Sequence, residues 1–132
     1  MNIQALYHIG IYTKDIEKSL EFYLEILGFK KIWEGMVDHP TGMIYAAVIC
    51  SGEITIELVR PVDLNMVSDK HGPIQHLAFK VNNLKETMKE LKLKGIRVFP
   101  ENIESLPTFY KGIHHTFICG PSGERIELLE EM

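Results

Sequence analysis

Apolar and polar residues alternate along much of the chain, and two stretches instead show the spacing of an amphipathic helix. Tyr7–Ile11 and Gln75–Phe79 alternate as strands do, and each contains a histidine. In the stretches that follow, apolar residues recur every three or four positions, which is the period of a helix. These residues are Ile16, Leu20, Tyr23 and Leu27 in the first stretch, and Leu84, Met88 and Leu91 in the second. The pattern predicts a strand followed by a helix, twice.

The two predicted helices have matching boundary residues. Asp15 and Asn83 stand at the expected N-cap positions, and Glu86 follows Asn83 by three residues, as in a capping box. Gly28 and Gly95 follow the last apolar positions, where a left-handed C-cap residue is expected.

Three further strands are predicted after each helix. One begins at Phe29 in the first half and at Ile96 in the second. The other two are joined by a tight turn with glycine, serine or proline, and they cover 43–59 in the first half and 114–129 in the second.

The order of strand, helix and three strands thus occurs twice. We predict a single α+β domain, residues 1–132, made of two tandem βαβββ modules at 5–60 and 74–130. A connector at 61–73, rich in Asp, Asn, Ser and Gly, joins them.

Composition and charge narrow the class of protein. The 132 residues carry a formal net charge of −4, and a chain with no basic run is not expected to bind nucleic acid. The longest apolar run, Met43–Cys50, is too short to span a membrane, and the first residues do not resemble a signal peptide. Cys50 and Cys119 form no ligand-spaced pair and are expected to be buried and reduced. We therefore expect a soluble, cytoplasmic protein.

Alternation also predicts which side chains share a sheet face. His8 and Glu57 in the first module, and His76 and Glu127 in the second, fall on the face away from the module's own helix. If these faces pack together, two imidazoles and two carboxylates converge, a donor set suited to a divalent first-row metal with open positions. A single such residue is more often structural. Four at duplicated positions favour a metal site.

These residues stand in motifs that resemble the vicinal oxygen chelate superfamily, and within it the glyoxalase I (lactoylglutathione lyase) branch. The motifs are His8-Ile9-Gly10, Leu27-Gly28-Phe29, Ile56-Glu57-Leu58, His76-Leu77-Ala78-Phe79, and Gly120–Glu124 followed by Ile126-Glu127-Leu128. The resemblance implies the glyoxalase/bleomycin resistance/dioxygenase fold, in which curved mixed sheets form a metal-binding cleft. It implies one divalent metal per site, nickel or zinc, with His8, Glu57, His76 and Glu127 as ligands and no other cofactor.

The resemblance also implies an activity. Such an enzyme is a lyase or isomerase that moves a proton between adjacent carbons of an oxygen-chelating small molecule, such as a hemithioacetal, through an enediolate. Glu127 is then the catalytic base, and Glu57 is a ligand and its catalytic partner. Tyr12 stands where glyoxalase I members typically carry an arginine that helps to hold glutathione, so the substrate stays open.

Two alternatives remain. The methylmalonyl-CoA epimerase branch has similar motifs around His8 and His76, but it usually has Gln at the place of Glu57 and a base at that of Pro40. A small-molecule-binding protein of the same fold, without catalysis, is the other. His114 and His115 are adjacent on a strand, so only one of them can face the site.

Assembly is the last expectation. The connector between the modules is short enough for pairing across two chains, as small glyoxalase-like proteins commonly do. We predict a homodimer, and the sequence leaves open whether each site lies within one chain or is shared.

Overall fold

The computed structural model describes residues 7–39, 42–67, 74, 76–108 and 111–132. The chain divides into two compact units, Met1–Asp69 and Lys70–Met132. Pro40 and the second part of the predicted connector, residues 68–73, lie outside the described residues, and the predicted module boundaries stay predictions.

The first unit is a four-stranded mixed sheet with one helix. Its strands have the order β1-β4-β3-β2, with β1 parallel to β4 and the other neighbours antiparallel. The elements are β1 (Ile9–Tyr12), α1 (Ile16–Glu21), a π-helical turn (Phe22–Ile26), β2 (Lys30–His39), β3 (Gly42–Ser51), β4 (Ile54–Pro61) and a 3-10 turn (Leu64–Met66).

The second unit repeats this topology. Its strand order is β5-β8-β7-β6, again with the first strand parallel to the last. The elements are β5 (Leu77–Lys80), α2 (Leu84–Leu93), β6 (Phe99–Leu106), β7 (Ile113–Cys119) and β8 (Arg125–Glu131). The predicted α+β fold with two βαβββ modules is confirmed.

The helices begin where their capping residues predict. The Asp15 carboxylate accepts the Lys18 backbone N–H at 3.1 Å, and the Asn83 side chain accepts the Glu86 backbone N–H at 3.0 Å. Each cap satisfies a backbone donor that has no partner within the first turn of the helix.

Each helix packs on the last strand of its own unit. Ile56 and Leu58 of β4 and Ile126 of β8 are fully buried in these cores, as is Leu84 at the start of α2. Along each strand these buried residues alternate with Glu57 or Glu127. The two glutamates therefore lie on the sheet face away from the helix.

The first helix differs from its prediction as a single helix ending at Leu27. After Glu21 it widens into the π-helical turn, which contains the adjacent buried aromatics Phe22 and Tyr23. The Tyr23 ring meets those of Phe22 and Phe29 edge-on, with centroids 5.1 and 5.6 Å apart. This aromatic packing holds the last turn in a form that apolar periodicity does not reveal.

The strand predicted to begin at Ile96 begins instead at Phe99. The Ile96 N–H donates to the Leu91 carbonyl at 2.9 Å and the Gly95 N–H donates to that of Lys92 at 3.0 Å, with Gly95 at φ +76°. These are the two hydrogen bonds of a Schellman cap. Ile96 is therefore part of the helix end and has no amide free for a sheet.

Two smaller features also depart from expectation. The β2–β3 ladder is interrupted by an irregularity between Lys31 and Trp33, so Ile32 is an extra residue in the strand. Cys119 is exposed and Cys50 is half-buried, although both were expected to be buried; both are free thiols.

Candidate metal centre

In the first unit, His8 and Glu57 lie on one sheet face. Gly10 of β1 is paired with Glu57 of β4, and His8 precedes Gly10 by two residues, so its side chain points to the same side. His8 Nε2 is 3.8 Å from Glu57 Oε1, and the two side chains are 37% and 30% exposed.

In the second unit, His76 and Glu127 have the equivalent arrangement. Ala78 of β5 is paired with Glu127 of β8, and His76 again lies two residues before the paired position. His76 Nε2 is 3.2 Å from Glu127 Oε2. The pair is closer than the first, and the Glu127 side chain is only 11% exposed.

A third residue, His115 of β7, contacts the second pair. Its Nδ1 lies 2.7 Å from Glu127 Oε1, and its side chain is 8% exposed. Its Nε2 is buried without a hydrogen-bond partner in the described structure, 3.4 Å from the exposed Glu104 carboxylate. His114 points away, and its Nδ1 lies 2.8 Å from Ser105 Oγ. The adjacent histidines do face opposite sides, and His115 is the one beside Glu127.

Phe117 forms an apolar surface beside these polar groups. It is paired with Glu127 across the β7–β8 ladder. The rings of His76 and His115 meet it edge-on, at centroid distances of 6.0 and 5.4 Å. The Arg125 guanidinium lies 4.8 Å from its ring centroid, within cation–π range.

The first unit has no imidazole at the position of His115. Ala46 occupies the equivalent position. It is paired with Val59, two residues after Glu57, and His115 is paired with Leu129, two residues after Glu127. Ala46 and Val59 are buried in a small apolar cluster with Ile44. The two His–Glu pairs are therefore equal in register and unequal in surroundings.

The donor chemistry of the pairs fits a divalent metal. Each unit brings one imidazole nitrogen and one carboxylate to a common point, and these are donors that first-row metals accept. Two donors are half of the predicted set. Among the residues described, no group of three or more His, Cys, Asp or Glu side chains is placed to hold a metal ion. The four-ligand site stays a prediction.

A groove lies on the opposite face of the first sheet. This groove of about 560 Å³ is lined by Lys14, Glu34, Tyr45 and Arg60, among others. Tyr45 Oη donates a hydrogen bond to the Glu34 carboxylate, which also accepts one from Lys31 Nζ. These two hydrogen bonds lower the pKa of Glu34, and the one from Lys31 has the larger effect. The hydrogen bond to Glu34 in turn raises the pKa of Tyr45. Tyr45 is paired with Arg60, whose side chain lies on the sheet face opposite Glu57, so Tyr45 does not belong to the His8–Glu57 face.

The chain is similar in sequence to a known superfamily and to several known proteins. A sequence profile described as the glyoxalase/bleomycin resistance protein/dioxygenase superfamily matches residues 7–117. The uncharacterized protein YwkD of Bacillus subtilis (strain 168) is 31% identical, over 99% of this chain and 100% of that protein. The lactoylglutathione lyase of Escherichia coli O157:H7 is 27% identical, over 96% and 92% respectively.

Two other similarities extend this set. The mitochondrial methylmalonyl-CoA epimerase of Homo sapiens is 26% identical, over 78% of this chain and 61% of that protein. Among solved structures, the glyoxalase family protein from Enterococcus faecalis superposes with a TM-score of 0.80 at 25% identity, covering 98% of this chain and 100% of that one. No helix in the described part of the chain is long and apolar enough to cross a membrane.

Proposed function

The chain belongs to the glyoxalase/bleomycin resistance protein/dioxygenase superfamily, and we propose that it is a glyoxalase I-like, metal-dependent lyase or isomerase. The observation that carries the proposal is the pair of His–Glu contacts, His8–Glu57 and His76–Glu127, at the same register in two units of the same topology. Each pair lies on the sheet face away from the helix, where it adds little to the core, so its presence in both units favours a chemical role.

In this proposal one pair from each of two units, of the same chain or of two chains, would hold the metal. The ligands are His8, Glu57, His76 and Glu127, and nickel or zinc is the expected ion. When bound, the ion supplies a Lewis acid that makes the hydrogen next to a substrate carbonyl more acidic.

Glu127 is proposed to carry the proton. Its Oε2 accepts a proton from the carbon beside the carbonyl, acting as a general base. It then returns the proton to the adjacent carbon, acting as a general acid. Its surroundings suit this role because it is mostly shielded from water and its other oxygen, Oε1, is held by His115. Glu57, which is more exposed, is proposed as the second carboxylate of the site.

The proposed substrate is a small molecule with two neighbouring oxygens, of which a hemithioacetal is the model. Tyr12 stands where glutathione-binding members carry arginine, so thiols other than glutathione are included. Methylmalonyl-CoA epimerisation is the second candidate, favoured by the similarity to the human epimerase. It demands the same proton chemistry beside a thioester carbonyl.

The test combines metal analysis with activity. We expect protein purified without added metal to contain a divalent ion, and we expect turnover of methylglyoxal hemithioacetals or of methylmalonyl-CoA with nickel, zinc or cobalt. Glu127→Gln should lower turnover about 100- to 10,000-fold, the range of a general base, while metal remains measurable. Glu53→Gln, an exposed glutamate in the turn before β4, is the matched control and should keep full activity.

Two results would contradict the proposal. Glu127→Gln turning over a confirmed substrate at the wild-type rate would exclude Glu127 as the base. Less than about one tenth of an equivalent of metal, with no activity after metal addition, would contradict the proposal and favour a small-molecule-binding protein without catalysis.

A further inference from the structure

The two candidate carboxylates differ in how firmly they are held. Glu127 is contacted on both oxygens, by His115 Nδ1 at 2.7 Å and by His76 Nε2 at 3.2 Å. Glu57 has a described contact only with His8, at 3.8 Å, and its side chain is nearly three times as exposed. The difference traces to one register position, which holds His115 in the second unit and Ala46 in the first.

We propose that His115 is a positioning residue that fixes the orientation of the Glu127 carboxylate toward the reacting centre. The proposal rests on the function proposed above. His115 Nδ1–H donates to Oε1, which leaves Oε2 directed at His76 and available to a metal or a substrate proton. In this proposal His115 is not itself a metal ligand or a proton carrier, and it acts through Glu127.

Burial makes this hydrogen bond effective. A mostly buried carboxylate oxygen without a donor is costly, so the bond strongly favours the rotamer that makes it. The ring of His115 is itself held on β7 by the edge-on contact with Phe117. A fixed ring therefore fixes the carboxylate.

The fold does not require a histidine at this place. The first unit has the same strand order and the same register with Ala46 in the equivalent position, so the sheet forms without the imidazole. Burying His115 is unfavourable in itself, because among the described residues its Nε2 has no hydrogen-bond partner and only the Glu104 carboxylate at 3.4 Å. A role at Glu127 accounts for its presence.

Two substitutions separate positioning from packing. His115→Asn keeps a donor close to the place of Nδ1, whereas His115→Leu fills the space without one. We expect His115→Leu to weaken nickel binding about 10- to 100-fold, the usual effect of removing a group that orients a ligand. It should also lower kcat more than it changes KM. His115→Asn should restore most of both.

The control is His114→Leu, the adjacent residue on the opposite face. It should change neither nickel affinity, measured by competition with a chromophoric chelator, nor kcat. If His115→Leu matches the wild type in both, the positioning proposal is wrong, and the metal content and activity of the wild type would still support the proposed function.

A metal-free measurement tests the proposal even if the wild type binds no metal. Long-range ¹H–¹⁵N spectra of the histidine rings should show a proton on Nδ1 of His115, because only that form can donate to Glu127. Glu127→Gln should shift the Nδ1 resonance and leave that of His114 in place. A His115 ring with no proton on Nδ1, or one unaffected by Glu127→Gln, would overturn the proposal.

Discussion

Glu34 shows at the residue scale how two hydrogen-bond donors of unequal strength change the pKa of one carboxylate. Lys31 is the larger cause of its lowered pKa and Tyr45 the smaller. We predict that Lys31→Met raises the pKa of Glu34 more than Tyr45→Phe does, measured by the carboxyl ¹³C shift against pH. In the reciprocal experiment, Glu34→Gln should lower the raised pKa of Tyr45. Equal effects of the two substitutions on Glu34 would contradict the ranking.

The direction of the pH dependence follows from these shifts. Because the pKa of Glu34 is lowered, its stabilising contribution is fully present above the ordinary glutamate pKa and is lost as pH falls through the lowered value. The pKa of Tyr45 is raised, so its contribution is present below the ordinary tyrosine pKa and is lost as pH rises through the raised value.

Single residues also show what sequence can predict about the candidate site. The shared face of His8 and Glu57 follows from alternation, together with pairing of the first and last strands of a module. The contact of His115 with Glu127 could not be predicted, because it depends on the register between β7 and β8. A shift of one residue would have brought His114 to that face.

At the scale of elements, the two N-caps should contribute equally, because they make the same hydrogen bond at equivalent helices. We predict that Asp15→Ala and Asn83→Ala each lower the free energy of unfolding by about 1 kcal/mol. Urea unfolding followed by circular dichroism measures this. Asn82→Ala is the matched control, one residue before the cap and exposed, and it should change stability by less than about 0.5 kcal/mol.

An Asn82→Ala loss as large as that of Asn83→Ala would mean that the effect comes from the loop and not from the cap. Unequal losses from the two caps would mean that the helices do not contribute alike to their units.

Elements were predictable where their signals are local. Caps, glycine ends and alternation identified both helices and the central strands, and the duplicated order supported each assignment. The π-helical turn at Phe22–Ile26 and the late start of β6 were missed. The first depends on how Tyr23 packs against Phe29, and the second on amides that close α2. Neither is a property of a short window of sequence.

At the scale of the whole molecule, we predict a homodimer with two equivalent metal sites. Light scattering should give twice the 15.1 kDa of the chain, with two metal ions per dimer. A monomer with one complete, active site would contradict the shared arrangement. The sequence leaves this open because the connector permits pairing within a chain or between chains.

Mixing inactive variants distinguishes the two arrangements within a dimer. His8→Ala and His76→Ala subunits should each be inactive alone. With shared sites, their heterodimer collects both defects in one site and leaves the other intact, so about half of the wild-type activity per heterodimer returns. With sites inside single chains, every site keeps one defect and the mixture stays inactive.

The irregularity in β2 has a consequence for how the protein behaves when it is concentrated. β2 is a ten-residue edge strand on which Ile32, Trp33 and Met36 are exposed, and such an edge is a template for aggregation. The extra residue between Lys31 and Trp33 breaks the run of regularly spaced backbone groups. A neighbouring strand therefore cannot pair regularly along the whole of β2, and the longest regular stretch left to it is residues 33–39. The bulge therefore limits sheet extension on this edge to part of the length of β2.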